Sequence, residues 1–260
     1  MFKKLFASMG GSGAASVATE VTAARTPPGG SLEGEVVVRG GEIDQEISHV
    51  AVGLQGIVEV EGEDSEWQAE QSFAQQVLGG PLTLGPDSEE RMSFRLEVPW
   101  ETPFNVLGGR SIPTVRLGLE TELAIERAVA KGDLDPVEIE ALPGQHRVLH
   151  VLHELGFRRK GSDLERGRVP GAQLPFHQEV EYTPSPEFAG AINELEVVFV
   201  AGPQVTRVLL EADRRGGLLA EGRDEQRGFE VPTIDIEGFD VAGALRQELA
   251  RLGRRPGLFG

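Results

Sequence analysis

Cysteine is absent from all 260 residues, which excludes disulfides, thiolate zinc sites and thiol nucleophiles. A chain without thiols suits a reducing cytoplasm, the expected location. Long apolar runs are absent too. No stretch approaches the ~20 residues that a membrane-spanning helix needs. The opening MFKKLFASMGGSG is expected not to act as a secretory leader, whose apolar core runs to roughly 7–15 residues. Bases are the minority charge, 25 against 42 acids, for a net charge of −17. Such a surface repels nucleic acid and anionic lipid, both of which bind through cationic patches. Aromatic side chains make up 6% of the chain, with two Trp and one Tyr beside twelve Phe, few for a cleft that stacks on sugar rings. Catalytic signatures are missing as well. There is no Gly-x-Ser-x-Gly elbow, no Gly-x-Gly-x-x-Gly opening a helix after a strand, and no phosphate-binding Walker loop.

What is present points to β-structure. A hydrophobic fraction of 39% supports real cores, and 34 Gly with 16 Pro punctuate short runs. Three segments alternate with period two, as half-buried strands do. In the first, Val50, Val52, Leu54, Val58 and Val60 share a side. In the second, Met92, Phe94, Leu96 and Val98 do so, and in the third Val115, Leu117, Leu119, Leu123 and Ile125. Weaker strand candidates are residues 15–24, 34–38, 71–77, 137–141, 205–211 and 229–236. Turn residues separate the runs at 27–30, 79–81, 85–87 and 108–109. Two amphipathic helices are expected. Residues 145–155 place Val148, Val151, Leu152 and Leu155 on one face. Residues 241–252 do the same with Val241, Leu245, Leu249 and Leu252, and Asp240 is the expected N-cap.

The stretch LPFHQEVEYTPSPEFAGAINELEVVF, residues 174–199, reads as strand, Pro-rich surface connection, strand. Its pattern PF-x-QE-x-E…P…F-x-G-x-x-x-ELEV-x-F resembles the second domain of the bacterial sporulation-control protein family. The PGG…GEVVVRGG stretch near the start is similar to that family's first domain. Thr121 to Ile125, Asp133 to Pro136, the helix and Leu155–Gly156–Phe157 resemble its interdomain passage. The motifs cover roughly residues 1–211 in the family's order. The resemblance implies an arrestin-like fold and a regulatory role in sporulation, or in a related developmental or cell-envelope programme where the host does not sporulate.

The expected fold is therefore all-β, with two consecutive β-sandwich domains in an arrestin-like arrangement, one short helix near the junction and a C-terminal helix. Residues 1–130 form the first sandwich and 131–222 the second, with its helix at 145–155. Residues 223–260 are a tail carrying helix 241–252. Lys131 to Pro136 reads as an acidic turn at the boundary.

Few residues carry chemistry. His146, His150 and His153 fall on one helical stripe, opposite Val148, Val151 and Leu152, and could share a divalent metal. Their order is not that of a metalloprotease helix, and a stripe opposite the core is more often solvated or packed against a neighbouring domain. His49 and His177 stand isolated in strand contexts. Glu179 with Glu181, and Glu194 with Glu196, share strand faces as glycosidase carboxylates would, but they alternate with Val as sheet surfaces do. Glu59, Glu61, Glu63, Asp64, Glu66 and Glu70 form the densest run of acid, with Trp67 among them. It reads as an exposed loop after a strand ending near Val60. Glu61, Glu63, Asp64, Glu66 and Trp67 are the candidate contacts for a partner.

The leading function is a non-enzymatic cytoplasmic interaction protein that binds other proteins, some with a basic surface. It has no cofactor and no nucleic-acid ligand, and homo-oligomerisation is left open. The alternatives are a β-sandwich hydrolase or carbohydrate-active protein using paired carboxylates, and a metal-responsive regulator using the histidine stripe.

Overall fold

The structure is a computed structural model that describes residues 7–8, 15–62, 65–126, 133–213 and 225–252. In chain order the strands are β1 (Ala7–Ser8), β2 (Ser16–Val21), β3 (Arg25–Thr26), β4 (Ser31–Arg39), β5 (Gln45–Glu61), β6 (Glu66–Gly79), β7 (Leu82–Leu84) and β8 (Glu89–Glu97). They continue with β9 (Val106–Leu107), β10 (Arg110–Ser111), β11 (Leu117–Ile125), β12 (Asp133–Pro136) and β13 (Glu138–Ile139). Helix α1 (Pro143–Glu154) precedes β14 (Arg158–Arg166), β15 (Phe176–Thr183), β16 (Glu194–Ala201), β17 (Val205–Asp213) and β18 (Glu225–Pro232), and α2 (Val241–Leu252) closes the described chain. The all-β expectation holds, with the two expected helices. Neither helix is long and apolar enough to cross a membrane.

Contacts divide the chain into two units. The first comprises Met1–Ile57, Ala69–Asn105 and Arg116–Glu140. One of its sheets runs β1-β2-β4-β8, and in another β5 pairs with β6, β7 and β11, with β12 on the far side of β11. The alternating runs behave as period two requires: Phe94 and Leu96 in β8, and Leu117, Leu119 and Leu123 in β11, are buried. A hydrogen bond of 2.6 Å between the Thr19 and Thr121 hydroxyls joins β2 to β11. Asp133 to Pro136, read in the sequence as a turn, is instead strand β12, with Asp135 opposite Leu119. Two carboxylates hide that strand from a hydropathy pattern, yet an edge position needs only backbone pairing on one side. Lys131 and Gly132 lie outside the described residues.

The second unit comprises Val58–Gln68, Val106–Val115 and Ala141–Gly260. Its sheet begins at the end of β5, which meets β14 in parallel at Glu59 and Glu165, and continues as the antiparallel series β14-β15-β16-β17-β18. One face is apolar. Leu164, Phe176, Val180, Tyr182, Leu195, Val197, Val208 and Leu210 are buried, together with Val148, Val151 and Leu152 of α1 and Leu245 and Leu249 of α2. Both helices start on local signals. Pro143 opens α1, and the Gln145 side-chain oxygen accepts from the Leu142 backbone N–H at 2.8 Å. Asp240 caps α2 by accepting from Gly243 N–H at 2.8 Å, as expected.

Candidate acidic binding face

The other face of the second unit's sheet carries the site. In β15 the buried residues alternate with half-buried His177, Glu179 and Glu181, so all three project to the face away from the core. Register then aligns acid with acid across the strands. Asp163 of β14 lies opposite Glu179. Glu181 of β15 lies opposite Glu196 of β16, and Glu196 opposite Glu211 of β17. Like charges directly opposite on neighbouring strands destabilise a sheet. This face nevertheless sets three carboxylates in one cross-strand row.

A depression of about 780 Å³ is bounded by these groups together with Glu59, Glu61, Glu66 and Glu165. Arg166 and His177 are the bases that line it. His177 Nε2 is 2.9 Å from Glu179 Oε1, and its Nδ1 is 3.2 Å from the Gly167 carbonyl oxygen. Burial works against the imidazolium, but those hydrogen bonds to Glu179 and Gly167 outweigh it and raise the imidazole pKa. At the rim, Lys160 Nζ sits 2.5 Å from Glu194 and 3.5 Å from Glu181.

Crowding makes ionisation costly. Asp163 is pushed up to about 6, first by burial and then by Glu181, Glu179 and Glu59. Glu165 is pushed up to about 7 by burial, then by Glu179 and Asp163. Glu196 reaches about 7 for the same reason, with Glu179 and Glu211 as its main neighbours. Asp163 Oδ1 is buried without a hydrogen-bond partner among the described residues. Beside the acids the same face turns apolar, where Val169, Val198 and Leu209 cluster with Ala172 and Val200.

The structure sorts the sequence candidates. Glu61 and Glu66 line the depression, while Glu63 and Asp64 lie outside the described residues. Trp67 is 51% exposed, on strand β6 rather than in a core. Its ring leans on the hairpin turn, where a Cβ added to Gly62 would come within 2.7 Å of it. The acid run is not one long loop, because β5 continues to Glu61 and β6 resumes at Glu66. Hydrogen bonding along β5 keeps Glu66 and Glu70 in a strand that their charge alone would not favour.

Glu179 and Glu181 do share a face, as their spacing implied, but they join the acidic row instead of flanking a separate cleft with Glu194, which Lys160 engages. His49 pairs with Glu122 at 3.4 Å, and His177 is not isolated but built into the depression. His146, His150 and His153 are exposed on α1, with the first two rings stacked 6.4 Å apart. Among the described residues no group of three such side chains is placed to hold a metal ion.

Asp163 and Glu165 had no counterpart in the sequence reading, because β14 has little apolar content. The signal was there in Ser162-Asp-Leu-Glu-Arg: Ser162 and Leu164 point inward, and the acids between them must point out.

Comparison with known proteins agrees with this architecture. Residues 2–216 match the family model described as SpoOM protein. Sporulation-control protein spo0M of Bacillus subtilis (strain 168) is 32% identical over 215 residues, which are 82% of this chain and 81% of that protein. The crystal structure of Spo0M from Bacillus subtilis superposes with a TM-score of 0.78 at 26% identity, covering 92% of this chain and 99% of that one. The arrestin-like fold implied by the sequence resemblance therefore stands.

Proposed function

This chain belongs to the sporulation-control SpoOM family, and on that premise we propose that it is a non-enzymatic cytoplasmic regulator that binds a basic partner through the acidic face of its second unit. One observation carries the reading: the cross-strand row Glu181–Glu196–Glu211 opens onto a depression lined by nine carboxylates and only two bases. A fold has no need to assemble carboxylates whose ionisation burial and mutual repulsion resist. A cationic partner adds counter-charge beyond that of His177 and Lys160 and converts that cost into affinity. Exposed Trp67, on the strand whose first residue is Glu66, offers an aromatic anchor, a residue type enriched where interfaces concentrate their energy. The apolar cluster around Val198 provides a second, uncharged contact on the same face.

A lysine-rich peptide serves as the probe in a fluorescence anisotropy titration of the full chain. Affinity is expected to fall steeply as salt rises, because exposed charges are screened beyond a Debye length of roughly 8 Å at physiological ionic strength. Glu181→Gln with Glu211→Gln is expected to weaken binding well beyond the effect of Glu33→Gln with Glu97→Gln, two exposed acids of the first unit. Equal weakening by the two pairs would show a response to net charge alone and sink the assignment.

A further inference from the structure

Within the second unit, a smaller cavity of about 230 Å³ opens beside α1, on the face of the sheet opposite the acidic one. Its walls invert the character of the chain. His146, His150 and His153 come from α1, Arg159 from β14 and Tyr182 from β15, over a floor of Leu107 and Leu149, and no carboxylate lines it. In a protein with 42 acids and 25 bases, that sorting of cationic and donor groups is notable.

Two of these groups are donors well suited to an anion. Tyr182 is only 3% exposed, and it lines the cavity, where its hydroxyl can meet a bound ligand or water. Arg159 lies directly opposite Tyr182 in the β14–β15 register and forms no ion pair among the described residues. The one acid close to the histidines, Glu154, is drawn to Arg147 at 3.5 Å and to His150 at 3.3 Å, outside the cavity wall. His146 Nε2 is held against the β9–β10 turn, where a Cβ at Gly108 would approach it to 3.3 Å.

We propose that this cavity binds a small organic oxyanion, its charged head on Arg159 and the Tyr182 hydroxyl and its apolar body on Leu107 and Leu149. Donor chemistry favours an oxyanion over a metal ion. Guanidinium and phenol offer N–H and O–H to acceptor oxygens, and imidazoles donate in either protonation state. The rings of His146 and His150 stack near-parallel 6.4 Å apart, and no group of three such side chains among the described residues is placed to hold a metal ion. The volume lies just below the 300–1,000 Å³ usual for ligand pockets, which limits the occupant to something like a short phosphate monoester or carboxylate.

Isothermal titration of the full chain at fixed ionic strength tests the assignment, with phenyl phosphate, benzoate and neutral benzyl alcohol as probes. Phenyl phosphate or benzoate is expected to bind saturably at one site, and the tighter of the two identifies the head group. Benzyl alcohol is expected not to bind. Arg159→Gln should weaken binding at least tenfold, in line with a charge-assisted hydrogen bond of about 1.5–3 kcal/mol. Tyr182→Phe, which removes one oxygen and keeps the packing, should weaken it severalfold, and Arg91→Gln in the first unit, paired with Glu35 and Glu89, should leave it unchanged. No saturable binding of either anion below 10 mM (an affinity bound near 2.7 kcal/mol, roughly) would overturn the proposal. So would binding that Arg159→Gln and Tyr182→Phe both leave intact.

Discussion

Replacing Glu196 by Gln should stabilise the protein at alkaline pH, an unusual expectation for deleting a native charge. Glu196 lies between Glu181 and Glu211 in the cross-strand row, and its carboxyl is pushed up from 4.5 to about 7 by burial and by Glu179 and Glu211. A shift of that size corresponds to roughly 3 kcal/mol at 1.36 kcal/mol per pH unit. The side chain keeps substantial contact with solvent, so screening reduces the usable part to about 1 kcal/mol. A carboxyl whose folded pKa is raised contributes its stability below the unfolded pKa and loses it as pH climbs through the folded value. Wild-type stability should therefore fall between about pH 4.5 and pH 7 on account of this group. Gln, neutral and nearly isosteric, escapes the loss. The variant should gain about 1 kcal/mol at pH 8 and about a quarter of that at pH 5, where Glu196 is already protonated in the folded state. Urea melts of both proteins at the two pH values, each in low and high salt, measure the difference. A gain that is the same at pH 5 and pH 8, or a loss at pH 8, would refute the argument that Glu196 is held ionised against its surroundings.

The same logic extends to Asp163→Asn, which should raise stability above pH 6 and do little below pH 4, since that carboxyl is held near 6 by burial and its acidic neighbours. Leu245 and Leu249 are both fully buried, and burying a Leu is worth on the order of 1.5–3 kcal/mol. Leu245→Asp with Leu249→Asp should thus detach α2 and expose it to limited proteolysis, whereas unchanged digestion would count against docking. Trp67, half exposed on β6, should be quenched readily by acrylamide, and protection of that fluorescence by the lysine-rich peptide would place the peptide beside it. The domain division near residue 130 remains a proposal. Both described helices lie beyond that point, so a fragment ending there should give strand-dominated circular dichroism, and substantial helix would refute the division.

Much of the fold was already legible in periodicity. Phe94 and Leu96, or Leu119 and Leu123, had to point one way once their neighbours were charged, because a strand offers only two faces. Asp240 announced a helix start through backbone chemistry confined to one turn. Even the outward aim of Glu179 and Glu181 followed from the residues between them. What local pattern could not provide was register. Nothing within β15 says that Glu181 faces Glu196, or that Glu196 faces Glu211, since those pairings join segments separated by connections of unpredictable geometry. Strand β14 escaped notice because it is covered on one face only and needs just Ser162 and Leu164 there. Its position between β5 and β15 decides that Asp163 and Glu165 complete the acidic face and that Arg159 meets Tyr182 on the opposite one. Composition determined how much acid the chain would carry. Only the pairing of strands decided that the acid would be gathered on one side of a sheet and the uncommitted arginine on the other, because pairing fixes which side chains share a face.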